Sequence, residues 1–281
     1  CEQYMRLVKA DARFGALEFK IEEAAENPFR KLHVRVKPEI VRVGLPDIRP
    51  YERTGVHLSP QQFRALKDQP DVVVLDVRSD YEHRLGRFRN AVTLDMENFR
   101  EFPDKVAELA QYKDKKILTY CTGGIKCEKA SAFLLDQGFE NVYQLHGGII
   151  KYGLEAGGED FEGKCYVFDG RIAVEVNTVN PSVISRCQHC HTPSEQMMDC
   201  ANPHCNAHVP FCDACAELLA GACSPACQAH PAKRPYTGSR TYPRLSNHYS
   251  PEQGLVSYGA SQGEKAKSNE PSAVMLASAE R

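Results

Sequence analysis

No apolar run in this chain approaches bilayer-spanning length, and no segment has the layout of a secretory leader. Together with the paired cysteine spacings of this chain, both absences argue for a reducing compartment, most simply the cytoplasm. Charge of one sign is lacking too: 35 Lys and Arg residues nearly balance 37 Asp and Glu, for a net charge of −2. Such a balance gives no global electrostatic footprint for nucleic acid, so any RNA contact has to use local patches. Hydrophobic periodicity disappears after Pro231, where Ser, Pro, Gly, Lys and Glu prevail up to Arg281. A disordered tail over residues 231–281 is expected there. Its Lys233, Arg234, Arg240 and Arg244 interleave with Tyr236, Tyr242 and Tyr249, a mixture suited either to RNA or to plain solubility. A starting methionine is missing as well. The chain opens on Cys1, as expected of a sequence that begins inside a longer protein.

Cysteine, by contrast, is plentiful. Eight of the 12 cysteines lie between Cys187 and Cys227, spaced C-x2-C-x9-C-x4-C-x6-C-x2-C-x7-C-x3-C. Paired couples of this kind in a chain without a secretory signal point to metal rather than to disulfides. Cys187, Cys190, Cys200, Cys205, Cys212, Cys215, Cys223 and Cys227 supply enough thiolates for two tetrahedral four-cysteine sites. Zinc is the ion that such closed, all-sulfur sites usually hold. Iron–sulfur ligation is the second reading and disulfides the third. Couples joined in sequence, or cross-braced with first to third and second to fourth, fit the spacing equally. His189, His191, His204, His208 and His230 sit among the thiols and could replace one. The intervals are too short for a sizeable core, so two structural zinc ions would supply most of the stability of a module over residues 187–230.

The rest reads as a globular α/β protein, 42% hydrophobic and 26% charged. Lys116 to Tyr120 reads as a strand, buried along its apolar run from Ile117 to Tyr120. Cys121 ends it, and Thr122, Gly123, Gly124, Ile125 and Lys126 form a glycine-bearing loop. The pattern predicts a helix from Cys127 to Gln137, with Gly138 as its stop. Strand, tight loop and helix gather backbone N–H groups and a helix's positive end around the Cys121 sulfur. Lys126 and Lys129 add charge, so thiolate is favoured over thiol and Cys121 is the candidate nucleophile. A cysteine that merely packs is the plainer reading; the glycines, the lysines and the strand end argue against it.

Upstream, Leu32, Val34 and Val36, then Ile40, Val41 and Val43, read as one or two strands interrupted at Pro38. Residues 1–45 are too few for a domain of their own, and 46–58 read as a linker. Ser59-Pro60-Gln61-Gln62 has the N-cap, first-turn proline and capping-box glutamine of a helix start. Val72 to Leu75 reads as a parallel strand buried on both faces. Asp76 and Arg78 follow at the end where open α/β sheets keep their chemistry, as supports of the site or as substrate contacts. Glu82 is expected to partner Arg78 or Arg87. Further strands at Ala91–Leu94 and Val142–Leu145 alternate with helices. The order implies a doubly wound, mostly parallel sheet with helices on both faces over residues 59–157, then a connector over 158–186. Arg84, Arg87, Arg89, Lys113, Lys115 and Lys116 are candidate phosphate contacts.

The run from Cys121 to Ser131, Cys-Thr-Gly-Gly-Ile-Lys-Cys-Glu-Lys-Ala-Ser, resembles the active loop of the rhodanese-like tRNA uridine(34) hydroxylases. The resemblance covers residues 29–227, with Phe99-Arg100-Glu101-Phe102-Pro103 and the cysteine array as further points. Phe29 to Gly44 is similar to the last strands of that family's N-terminal α/β domain, whose earlier part is absent. Asp76, Arg78, Glu82, Gly86 and the Gly147-Gly148 pair match rhodanese landmarks. Lys126 departs from the family's usual Arg, keeping the charge but losing the planar fork. The resemblance implies a rhodanese-like fold and an oxidoreductase that uses molecular oxygen to form 5-hydroxyuridine at the tRNA wobble position. It also implies tRNA as partner and Cys121 as the required cysteine. The loop by itself fits a sulfurtransferase carrying a persulfide on Cys121 equally well. A phosphatase of the C-x5-R type is disfavoured, because Cys127 stands where that motif needs its Arg. A non-catalytic RNA-binding module remains the fallback.

Overall fold

A computed structural model of the chain describes residues 2–29, 36–205 and 207–242, with the backbone of two short strands at 248–250 and 254–256. After α1 (Glu2–Ala10), the order is β1 (Val56–Leu58), α2 (Pro60–Leu66), β2 (Val72–Asp76), α3 (Asp80–Leu85), β3 (Gly86–Phe88), β4 (Val92–Thr93), α4 (Phe102–Lys105), β5 (Lys116–Tyr120), α5 (Ile125–Asp136), β6 (Val142–Leu145) and α6 (Gly148–Ala156). Five of these strands form one sheet in the order β1-β6-β5-β2-β4. Every pairing in it is parallel, with Val73 opposite Ile117 and Leu75 opposite Thr119.

Alternate residues of a strand face opposite sides, so a parallel sheet covered twice needs apolar residues at every position. Leu75 and Ile117 point into one core with Phe102, Cys127, Ala130 and Leu134. Val74 and Leu118 point into the other with Phe63, Ile149 and Tyr152. The doubly wound α/β architecture expected from the strand–helix alternation is therefore present. At the start of α2, Ser59 Oγ accepts from the Gln62 N–H at 3.2 Å and Gln62 Oε1 accepts from the Ser59 N–H at 2.8 Å, a reciprocal capping box.

Several local expectations are corrected. Leu32 and Val34 lie outside the described residues. Val36, Ile40, Val41 and Val43 form no strand; Val36 and Ile40 are exposed while Val43 packs into the core. Alternating apolar residues become a strand only where a neighbouring strand takes their N–H and C=O groups, and no strand pairs with these among the described residues. Val56–Leu58, within the expected linker, is the edge strand β1 on β6. Three residues are too few to show a period. Helix α5 starts two residues before Cys127, because Gly124 in the left-handed conformation (φ +85°) ends the loop early.

The expected connector carries β7 (Phe161–Gly163), antiparallel to β3, then β8 (Cys165–Tyr166), antiparallel to β9 (Ala173–Val174). The cysteine-rich part holds β10 (Met197–Asp199) paired with β11 (His208–Pro210), then α7 (Asp213–Leu218) and α8 (Pro225–Gln228). Its small core is Met198, Phe211, Ala216, Leu219 and Ala222 with Cys187 and Cys215. The expected disordered tail is ordered at its start. The Arg234 N–H donates to Ala201 O at 3.0 Å, Arg240 Nη1 to Phe211 O at 2.7 Å, and Lys233 Nζ to Ala220 O at 3.2 Å. Carbonyls of the cysteine-rich part thus engage the side chains of Lys233 and Arg240 and the backbone of Arg234, three of the residues suited to RNA or to plain solubility. Residues 242–281 are a separate unit, described only as the antiparallel pair β12 (His248–Ser250) and β13 (Gly254–Val256). Arg244 and the side chain of Tyr249 lie outside the described residues. Among the described residues no helix is long and apolar enough to cross a membrane.

Candidate active site and metal centres

Strand β5 delivers Cys121 at its carboxyl end, and the loop then folds back over the sulfur. The Gly124 N–H donates to Cys121 Sγ at 3.2 Å. The first turn of α6 supports the loop from below: the Ile149 N–H donates to Cys121 O at 3.0 Å and the Ile150 N–H to Thr122 O at 3.2 Å. This close approach requires Gly148. It has φ +67°, and a Cβ there would lie 2.5 Å from Cys121 O and 2.6 Å from Thr122 O. Thr122 Oγ1 donates to Tyr166 O at 3.2 Å, tying the loop to β8. Gly123 O accepts from Lys20 Nζ. Ile125 is 52% exposed, and the Lys126 ammonium lies 5.3 Å from the centre of the Phe168 ring.

Cys121 is buried, which by itself pushes its thiol up. Opposing groups win. The Cys127 side chain, the Lys126 charge and the N–H groups of Cys127 and Lys126 stabilise the thiolate and bring the pKa down to about 6. Cys127 goes the other way: burial and the neighbouring Cys121 sulfur hold it well above its ordinary value. The two sulfurs are therefore pushed apart, Cys121 toward thiolate and Cys127 toward thiol. Lys126 stays close because Glu82, fully buried, pairs with it. Glu82 also accepts from the Ser79 N–H at 3.1 Å. It does not partner Arg78 or Arg87 as expected. Lys129 pairs with Glu39, so its charge is spent away from the sulfur.

Asp76 and Arg78 form a salt bridge with no exposed surface. Asp76 Oδ1 accepts from Arg78 Nε at 2.9 Å, and Oδ2 from Nη2 at 2.7 Å and from Tyr120 Oη at 2.6 Å. Arg78 Nη2 also donates to Gly86 O at 2.6 Å, and its guanidinium lies 5.5 Å from the Tyr120 ring. Burial disfavours the Asp76 charge, but Arg78 and Tyr120 outweigh it and hold the carboxyl below its usual range. The pair clamps the ends of β2 and β5, one residue below Cys121. This is the geometry of a support rather than of a substrate contact.

A cavity of about 210 Å³ opens beside the loop against Gly124, Ile125 and Gly147, with His57, Gln144 and His146 on its wall. Cys121 is not part of its lining. The expected phosphate contacts are mostly engaged already: Arg84 with Asp80 (3.1 Å), Arg89 with Asp160 (3.1 Å) and Glu162 (3.0 Å), and Lys116 with Asp71 (2.9 Å). Lys113 donates to Gln137 O at 2.8 Å and Arg87 to His83 O at 3.2 Å.

The eight clustered cysteines separate into two groups, Cys187, Cys190, Cys212 and Cys215, and Cys200, Cys205, Cys223 and Cys227. In each group all sulfurs lie within 4.8 Å of one another. First couple joins third and second joins fourth, the cross-braced pairing that spacing alone left undecided. Cys190 Sγ is 3.6 Å from Cys212 Sγ, Cys205 Sγ 3.6 Å from Cys223 Sγ, and Cys223 Sγ 3.8 Å from Cys227 Sγ. A tetrahedral ion with bonds of about 2.3 Å puts its sulfurs about 3.8 Å apart. A disulfide needs about 2.05 Å, so each group fits a single metal ion and not a pair of disulfides. None of the five histidines belongs to either group.

A cysteine cradled between a parallel strand and a helix, backed by a buried Asp–Arg clamp, defines a rhodanese-like protein. Residues 59–155 match the rhodanese-like domain, and residues 162–228 the rhodanase C-terminal family. The tRNA uridine(34) hydroxylase of Cytophaga hutchinsonii is 65% identical over 251 residues, covering 89% of this chain and 80% of that one. The enzymes of the same name from Staphylococcus saprophyticus and Enterococcus faecalis are each 47% identical over 237 residues, covering 83% of this chain and 75% of theirs. The chain belongs to the tRNA uridine(34) hydroxylase family.

Proposed function

We propose that this chain is an oxygen-dependent tRNA uridine hydroxylase that forms 5-hydroxyuridine at the wobble position, with Cys121 at its centre. The observation that carries the reading is a buried cysteine whose sulfur accepts from the Gly124 N–H inside the family's loop, where its pKa is lowered. In this reading the Cys121 thiolate adds to C6 of the uracil and the C5=C6 electron pair moves onto C5 as an enolate, which makes C5 the electron-rich carbon. Gly124, Lys126 and Cys127 hold the sulfur as an anion. Thr122, Gly123 and Ile125 shape the loop, and Asp76 and Arg78 fix the strand ends beneath it. A tRNA substrate and reduced cysteines support the cytoplasm, a reducing compartment, as the site of this work.

We further propose zinc in both cysteine groups. Closed four-thiolate sites with sulfur separations near 3.7 Å suit a d10 ion, and a multi-iron cluster would need its ligands further apart. The ions are structural in this reading, since all four positions around each are taken by protein.

The test is nucleoside mass spectrometry of tRNA from cells lacking the gene, complemented with wild type or with Cys121→Ser. Return of 5-hydroxyuridine derivatives with wild type alone is the expected result. Unchanged hydroxylation with loss of a thiolated nucleoside would install the persulfide sulfurtransferase instead.

A further inference from the structure

Phe168 is out of place for a core residue of its size. It is 61% exposed, yet the chain around it is fixed. The Val167 N–H donates to Ile172 O at 2.8 Å, and Asp169 closes the intervening turn by accepting from the Arg171 N–H at 2.9 Å and from Arg171 Nη2 at 2.7 Å. The ring itself meets Tyr166 edge-on at 5.3 Å. Tyr166 is buried against Tyr81 at 5.0 Å and His208 at 5.6 Å. Phe168 is thus the outermost rung of an aromatic ladder rooted between the rhodanese-like domain and β11.

That rung stands on the rim of the Cys121 loop. Two separate contacts place it there: Thr122 of the loop is bonded to Tyr166 O at 3.2 Å, and Lys126 of the loop lies 5.3 Å from the Phe168 ring centre. Exposing a ring of this size forgoes the burial that the hydrophobic effect favours, unless a partner covers it in use. Proteins that act on one base of an RNA loop must take it out of the stack, which leaves its neighbours needing a new surface. Single-stranded RNA is held by stacking on aromatic rings set beside positive charge, and a held, exposed ring with the Lys126 ammonium 5.3 Å from its centre offers both.

We propose that Phe168 is a stacking platform for the nucleobase flanking the target uridine, so that it sets substrate affinity and register without taking part in the chemistry. The inference rests on the hydroxylase reading and adds a specificity residue to it.

The chain contains no tryptophan, so Phe168→Trp installs a single fluorophore at the point in question. The probe is an anticodon stem-loop RNA carrying the wobble uridine, with versions lacking the base on its 5′ or 3′ side. Phe168→Ala is expected to raise Kd and KM about tenfold or more while kcat changes little. Phe168→Trp is expected to keep affinity and to be quenched on binding. Removal of one flanking base should weaken wild type to the level of Phe168→Ala and leave that variant indifferent. Equal rescue by Phe168→Leu and Phe168→Trp would overturn the proposal, since bulk and not a ring would then suffice. So would unchanged binding by Phe168→Ala with wild-type metal content and circular dichroism. Wild-type protein that neither binds nor hydroxylates the RNA would instead overturn the hydroxylase reading together with the platform.

Discussion

At the scale of single residues, the decisive balance is between burial and donors at Cys121. Burial alone would keep this sulfur protonated; Lys126, the Cys127 thiol and two backbone N–H groups reverse that. Because the folded pKa lies near 6, below the ordinary value of 9.0, the thiolate is present through neutral pH and is lost as pH falls through about 6. The kcat/KM profile should therefore rise with pH around that point and then level. Lys126→Gln should move the rise to higher pH and lower the rate on its acid side by up to about tenfold, while Lys126→Arg should keep the wild-type profile. A profile unchanged by Lys126→Gln would mean that the charge does not reach the sulfur. Much of this site is local in sequence, so strand, glycines and lysine could be read in order from Lys116 to Cys127. Glu82 could not: it is 44 positions from Lys126, and only folding brings the two together. Phe168 gave no signal at all, since an aromatic residue in an apolar stretch reads as core.

At the scale of elements, the site depends on two joints. One is the contact between α6 and the loop, where Gly148 lets two backbones approach. Gly148→Ala sets a Cβ against carbonyl oxygens in a backbone conformation that L residues rarely adopt, and should cost on the order of 3 kcal/mol of stability along with the activity. The other joint is the clamp of β2 on β5. Asp76→Asn leaves the Arg78 charge buried without its counter-ion, for a loss of about 3–5 kcal/mol. Urea midpoints of the two variants check both figures; a wild-type midpoint for either would show that its joint bears no load. The capping box of α2 and the twice-covered strands were legible because each is a short pattern with one physical meaning. Strand β1 was not. Its three residues count as a strand only because β6 offers them a free edge.

At the scale of the whole molecule, the cysteine-rich part is bound to the rhodanese-like part through Leu85, Tyr166 and Met197, which share one buried cluster. Loss of the proposed zinc should therefore be felt at the site. Elemental analysis is expected to give two zinc ions per chain, and a strong chelator should lower the melting temperature, expose Tyr166 to solvent and reduce hydroxylation. Cys215→Ser should do the same without chelator and leave one ion. Protein that carries no metal and melts unchanged would remove zinc from the account. By itself the sequence determined the alternation of strand and helix, the cysteine at the strand end with its loop, and the supply of eight thiols, because each is encoded within a few neighbouring residues. The tertiary structure decided the cross-braced grouping of those thiols, the Glu82 anchor of Lys126, the edge strand, and the ring of Phe168 beside the loop. Those depend on which distant segments meet, and that is settled by packing rather than by spacing.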